Sequence, residues 1–368
     1  MKKLSMGLVI VIYCFAGFLQ AQLFLNWDVN WLMLAAQRLL QGGNYAQNFF
    51  ETNPPLILYL YMPPLWASKF FSISQGMALC LYVFFAASIS LSGCYLLLQR
   101  IFLDEKNSVF LTLFFTTLTA VFLLVPLYEF GQRDHLVLIF TLPYLLLVSL
   151  RLQNQALRAD RACLIGVLAG VGFCIKPQTL FVPLLIELYY SCHKKNVLAW
   201  FRVEIVMMLS FAFFYLAALF YFFPDYLYFM VPFASRYYYY ASMTWRTLLL
   251  FNPFLFCLLP FLFCLITPVH KAYVQLNRVL LLALLGFLGS YLAQRHIYYY
   301  HLVPAFSLAL FLLVLYVGGW AAQDRWGRRD YWRALVLSAL VSACLYWRAR
   351  AIWVALIFTP FAFFSYFA

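Results

Sequence analysis

Charge is the scarcest thing in this sequence. Only 10% of its 368 residues are Asp, Glu, Lys or Arg, where soluble domains carry about 25%. So few charges cannot clothe a water-exposed surface, so no soluble domain is expected. Acidic residues are rarest, twelve against twenty-five basic ones. Metal-site spacing is missing as well: there is no Cys-x-x-Cys pair. Most of the nine cysteines, among them Cys80, Cys94, Cys163, Cys174, Cys257 and Cys264, fall inside apolar runs. They read as buried, inert thiols. No tandem repeat and no Gly/Ser-rich linker divides the chain, so residues 1–368 read as a single integral membrane domain.

What the sequence does have is hydrocarbon. It is 66% apolar, with 40 Phe and 27 Tyr. Apolar segments of about 20 residues recur along its length, as membrane-spanning helices require. The expected fold is an all-α polytopic membrane protein of about twelve segments. They lie near 5–25, 77–98, 109–127, 136–150, 162–175, 178–192, 203–223, 248–267, 279–294, 302–320, 334–347 and 351–367. The start, "MKKLSMGLVIVIYCFAGFLQAQ", also has the pattern of a cleavable signal peptide. Its apolar run is long enough to span, and a retained first helix is expected.

The net charge of +13 invites a nucleic-acid reading. The basic residues, however, sit in short clusters between apolar runs, which is the pattern of the positive-inside rule. No nucleic-acid partner is expected. Residues 162–192 fit either one long helix or a hairpin broken at Lys176–Pro177. Proline disfavours helical geometry before it and donates no helical hydrogen bond. A hairpin also puts Lys194 and Lys195 on the cytoplasmic side and Lys176 at an outer tip. Sixteen of the 25 basic residues then face the cytoplasm, and both termini do too. Topology leaves nine others unexplained: Arg38, Lys69, Arg133, Lys176, Arg236, Arg246, Arg295, Arg348 and Arg350.

Polar chemistry gathers in a few outer loops. Asp28 follows the first span, between Trp27 and Trp31. From Asn30 to Gln41 apolar residues recur at helical spacing, and Gly42–Gly43 supplies a stop. This predicts an amphipathic helix along the outer surface, with Asp28 near its N-terminus, where capping alone would explain it. The loop "YEFGQRDH" packs Glu129, Arg133, Asp134 and His135 into a short connection, and ionisable groups at membrane depth are costly and usually functional. Asp28, Glu129 and Asp134 can deprotonate an acceptor; Asp28 and Asp134 can also hold a divalent cation. Arg133 offers a forked grip for phosphate. Lys176 reads equally as a snorkelling lysine or a point charge for phosphate. Arg295, His296 and His301 among Tyr298–Tyr300, and Arg236 and Arg246 around "YYYYASMTW", suit sugars and phosphates but also an aromatic belt.

The order of these features resembles one family. An acidic residue after the first span, an amphipathic outer helix, "GG.Y" and then "FETNPPLILYLY" are similar to the GT-C superfamily of membrane glycosyltransferases. The likeness is greatest to protein O-mannosyltransferases and lipid A aminoarabinose transferases. It covers roughly residues 5–195 as a GT-C-like core, leaving 196–368 as a variable helical part. Asp28, Pro54–Pro55–Leu56, Glu129 or Asp134, and Lys176 carry it. The chain departs at Asn53, where a basic residue is usual, in having a lone Asp28 rather than an acidic pair, and in lacking an extracytoplasmic C-terminal domain. The resemblance implies transfer of a hexose or pentose, with inversion, from a polyprenyl-phosphate donor to a lipid, glycan or protein acceptor. The site would face outward from a bacterial inner membrane. Asp28, Asp134 and Glu129 are the implied catalytic set. Arg133, Lys176, Glu51, Arg295 and His296 are the implied substrate contacts, with the departing phosphate stabilised electrostatically.

Two rivals use the same features. A polysaccharide polymerase or ligase would lean on Arg236, Arg246, Arg295 and His296. A transporter or flippase of lipid-linked sugars would place its ionisable groups at mid-membrane, in paired halves. Here they cluster in outer loops, and "IKPQ" has no second copy.

Overall fold

Long runs of Leu, Val, Phe and Ala favour helix wherever the backbone must satisfy its own hydrogen bonds. The computed structural model describes residues 2–102, 108–321, 333, 336–341 and 343–344. Among them are fourteen α-helices. The first six are α1 (Lys2–Gln22), α2 (Trp27–Leu40), α3 (Leu56–Phe71), α4 (Gln75–Ile101), α5 (Ser108–Leu123) and α6 (Arg133–Leu152). There follow α7 (Ala159–Ile175), α8 (Phe181–Lys194), α9 (Val203–Phe222), α10 (Val231–Tyr240), α11 (Trp245–Leu249), α12 (Asn252–Ile266), α13 (Val274–Gln294) and α14 (Val303–Ala321). The only β-type pairing among the described residues is an isolated bridge between Tyr45 and Phe49.

Among the described residues, five helical stretches are long and apolar enough to cross a membrane: Gln75–Ile101, Arg133–Leu152, Val203–Phe222, Lys271–Gln294 and Tyr299–Gly319. Several expected segments are shorter helices, such as the 16-residue α5 and the 14-residue α8. The expected segment near 351–367 lies outside the described residues, and of that near 334–347 only 336–341 and 343–344 are described, as helix. α3 was not among the segments expected. Pro63 and Pro64 lie inside it, and although proline disfavours a helix interior the helix runs through them. α2 turns away from α1 by 81°, the geometry of a helix laid across the end of a span.

α6 is the spine. Every one of its residues except Arg151 is buried, and it is flanked by α4, α7 and α13. α7 packs between α6 and α9 through small residues. A Cβ on Gly166 would meet the Glu204 carbonyl oxygen at 2.3 Å, and one on Gly172 would meet Thr141 Cγ2 at 2.6 Å. Such close backbone approach is how membrane helices gain contact without a hydrophobic drive between them.

Polar contacts at both ends of this spine fix the chain direction. Lys176, just past α7, pairs with Asp134 at the start of α6. Lys194, at the end of α8, bonds Asn154 just past the other end of α6. The chain therefore turns back at Lys176–Pro177, as the proline break implies. Lys176 itself is extended (φ −144°, ψ 107°), and a 3₁₀ turn over Pro177–Leu180 leads into α8. At the far end Arg151 grips Glu204 at 3.1 Å. Arg202 pairs with Glu187 and stacks over the Tyr190 ring at 3.6 Å.

Candidate active site

The N-terminus of α6 organises the site. Gln132 is its N-cap: its Oε1 accepts from the Asp134 N–H at 3.2 Å. The same side chain donates through Nε2 to Asp28 Oδ2 at 2.7 Å. Arg133 Nη2 reaches that oxygen at 3.1 Å, and Arg133 Nη1 donates to Asn53 Oδ1. Asn53 donates in turn to Glu51 Oε1, from its backbone at 2.7 Å and its side chain at 2.6 Å. Trp31 Nε1 donates to Glu51 Oε2 at 2.6 Å. Lys176 Nζ donates to Asp134 Oδ2 at 2.7 Å. One connected network thus joins α2, the loop before α3, the start of α6 and the α7–α8 break.

The local backbone explains the convergence. Gly131 has φ +79°, a conformation that costs glycine little. Its carbonyl accepts from Tyr61 at 2.7 Å, and its N–H donates to His135 Nδ1 at 3.0 Å. His135 Nε2 meets the Phe122 carbonyl at 2.8 Å, so both ring nitrogens are used in holding the loop.

Arg133 and Lys176 form part of the wall of a cavity of about 300 Å³, together with Asn53, Tyr226, His296 and His301. Both cations also face the Tyr300 ring, at 5.8 and 5.4 Å, where the ring's electron-rich face attracts positive charge. Three buried nitrogens in this wall, Arg133 Nε, His296 Nε2 and His301 Nδ1, have no hydrogen-bond partner among the described residues. Buried donors are rarely left so; here they mark a place for an anion or a hydroxyl-rich ligand. Asp28 and Asp134 are not wall residues. They stand behind Arg133 and Lys176 and hold them. The Asp28 side chain keeps 11% exposure, and its Oδ1 takes none of the bonds above.

Burial sets the electrostatics. It pulls the Lys176 ammonium down to about 8, against the opposing pull of the Asp134 carboxylate. It raises Glu51, which the Asn53 N–H partly offsets, and it lowers His296.

Of the residues singled out in the sequence, the structure brings Asp28, Glu51, Arg133, Asp134, Lys176 and His296 to this one place. Glu129 is turned to Asn26, whose Nδ2 donates to it at 2.8 Å. Asn26 is also the N-cap of α2, so this pair fixes the approach of α2 to the loop. Arg295 bonds the Met243 carbonyl at 3.2 Å and lies over Trp245. It pins the 243–245 loop and is not part of the cavity wall. Asp28 and Asp134 do not share a pocket: each faces its own cation. No three His, Cys, Asp or Glu converge to hold a metal among the described residues, and this donor set does not fit a divalent cation. Gln132 and the Trp31–Glu51 bond were not read from sequence. Gln132 is an ordinary cap residue there, and the aromatics look like belt residues.

This helical architecture, with an amphipathic helix laid across the end of the first span and a charged helix start beside it, has a counterpart among solved structures. A solved structure with a similar fold is that of ArnT from Cupriavidus metallidurans, bound to undecaprenyl phosphate. It superposes with a TM-score of 0.58 at 15% identity, over 97% of this chain and 72% of that one. No protein-family model matches the sequence, and no curated protein does.

Proposed function

We propose that this protein is a membrane glycosyltransferase that takes a sugar from a polyprenyl-phosphate carrier and passes it to an acceptor at the outer face of a bacterial inner membrane. The convergence of Asp28, Arg133, Asp134 and Lys176 beside one cavity with unpartnered nitrogens supports this most directly. The fold shared with a structure that holds undecaprenyl phosphate supports the lipid carrier.

In this reading the carrier phosphate enters against Arg133 and Lys176, within reach of His296 and His301. The acceptor hydroxyl attacks the anomeric carbon as its bond to the phosphate oxygen breaks, with inversion. Asp28 Oδ1 takes the hydroxyl proton. The electron pair leaves on the phosphate, where Arg133, Lys176 and the positive end of α6 oppose the new charge. Asp134 keeps Lys176 aimed at the cavity, and Glu51 does the same for Arg133 through Asn53. About twelve spans with both termini cytoplasmic complete the picture. A transporter would also need the cavity, but it would not need a carboxylate oxygen left out of the hydrogen-bond network beside the phosphate grip.

The test is transfer of labelled sugar from polyprenyl-phosphate donors by purified protein, run beside donor movement across liposomes. Release of sugar from the carrier is the expected result. Movement of intact donor without release would overturn the enzymatic reading.

A further inference from the structure

A second, smaller cavity of about 250 Å³ lies at the other end of α2, between the Gly42–Tyr45 turn and the Phe222–Tyr226 segment. Its composition differs from that of the charged cavity. Four rings stand edge to face around it: Tyr45 meets Tyr226 at 5.2 Å and Phe223 at 6.0 Å, and Tyr59 meets Phe223 at 6.0 Å. Asn44 and Asp225 add an amide and an exposed carboxylate. The Asp225 side chain has no hydrogen bond or ion pair among the described residues.

Tyr226 lines both cavities. It opens a π-helical turn, Tyr226–Met230, a distortion that tends to occur at functional positions. The two cavities are therefore neighbours across one ring. They are also separated along α2. Asp28 and Leu39 are eleven residues apart on that helix, about 16 Å at the helical rise. A sugar held beside Leu39 is too far away to be the one that reacts near Asp28.

We propose that this aromatic pocket is a remote subsite for the acceptor, which is an oligosaccharide rather than a single sugar. The inference rests on the glycosyl-transfer reading and adds the acceptor's class to it. Ring faces suit the C–H face of a pyranose, and a few placed polar groups fix its hydroxyls. The volume falls below the range of roughly 300–1,000 Å³ for drug-sized ligands and suits one ring of a chain. Binding energy gathered there positions a distant hydroxyl for reaction.

The experiment uses the full-length protein in detergent and saturation-transfer NMR. The probes are methyl glycosides of single hexoses, pentoses and amino sugars, and linear di- and trisaccharides built from them. Undecaprenyl phosphate binding is measured in parallel. The expected result is a saccharide that binds, more tightly as a di- or trisaccharide than as a single ring. Asp225→Ala and Tyr59→Ala should each weaken it roughly tenfold, which is about 1.4 kcal/mol. Asp225→Asn should weaken it less, and carrier binding should stay at the parent level in all three. Both side chains are well exposed, and an unchanged melting temperature verifies folding. If no saccharide binds the parent, or if the pocket variants bind it as the parent does, the subsite is overturned. Saccharide binding lost only in Lys176→Ala would also overturn it, by moving the sugar into the charged cavity. If the carrier fails to bind while saccharides bind through Asp225, the subsite stands and the proposed carrier falls.

Discussion

Lys176→Met separates a structural lysine from a functional one. The Lys176–Asp134 pair is 2.7 Å long, with side chains only 6% and 2% exposed. Removing one partner leaves the Asp134 carboxylate buried without its cation, which costs about 3–5 kcal/mol. Replacing both members with groups that need no charge is often close to neutral. Lys176→Met alone should therefore lower the melting temperature in detergent by about 6–10 °C, taking roughly 2 °C per kcal/mol for a large domain. Lys176→Met combined with Asp134→Asn should recover most of that loss. Carrier binding should behave differently, because the phosphate needs Lys176 itself. It should stay weak in both variants, read as undecaprenyl phosphate affinity beside each melting curve. If the double variant regains parent stability and parent carrier affinity together, Lys176 is only a counter-ion for Asp134. If the single variant melts with the parent, the buried-pair reasoning fails at its first step.

Other consequences can be checked one at a time. Asp28→Asn keeps the size and most hydrogen bonds but removes the base, so sugar transfer should fall by about 10²–10⁴-fold with carrier binding largely kept; transfer at the parent rate would reduce Asp28 to a holder of Arg133. Carrier affinity should decline as pH rises through about 8, where Lys176 loses its proton, and Lys176→Arg should move that decline to higher pH. The sign for stability is the opposite. The unfolded chain holds this proton up to 10.5, so the cost of burying the charged lysine is greatest below about 8 and is relieved as pH rises toward 10.5. Gly166→Val drives its side chain into the Glu204 backbone and should destabilise by about 1–3 kcal/mol, or more because backbone cannot yield, seen as a lower melting temperature with no specific effect on carrier affinity. His135→Leu strands the Gly131 N–H and the Phe122 carbonyl and should cost about 1–3 kcal/mol by the same measurement.

The spans were legible because lipid leaves the backbone few options, and composition alone announces them. α3 was hidden because proline disfavours a helix interior, and nothing local shows that neighbouring helices will carry the chain through. The charged start of α6 stood out because Arg133 and Asp134 are expensive so close to a span. Their partners were less visible, since they come from far along the chain: Asp28, Asn53 and Lys176 meet them only through packing. Glu129 looked equal to Asp134 in sequence. Gly131 and the helix start lie between the two, and the 3₁₀ turn over Leu127–Glu129 sends Glu129 toward Asn26 instead. Trp31 seemed an interfacial anchor because a tryptophan's ring suits the interface whatever its N–H is doing. Here the N–H holds Glu51.

The spine helix is clamped at both ends. Asp134 is tied to Lys176 at one end, and Arg151 to Glu204 at the other. Seventeen residues separate the two clamps, about 26 Å at the helical rise, a little less than the roughly 30 Å of a bilayer's hydrocarbon layer. A helix gripped this way resists sliding along its own axis, because any slip would break a buried pair. On the proposed reading, the clamps act as a depth gauge. They hold the reacting groups level with the boundary between oil and water, so a lipid-borne sugar can arrive by sideways diffusion without its tail ever leaving the membrane.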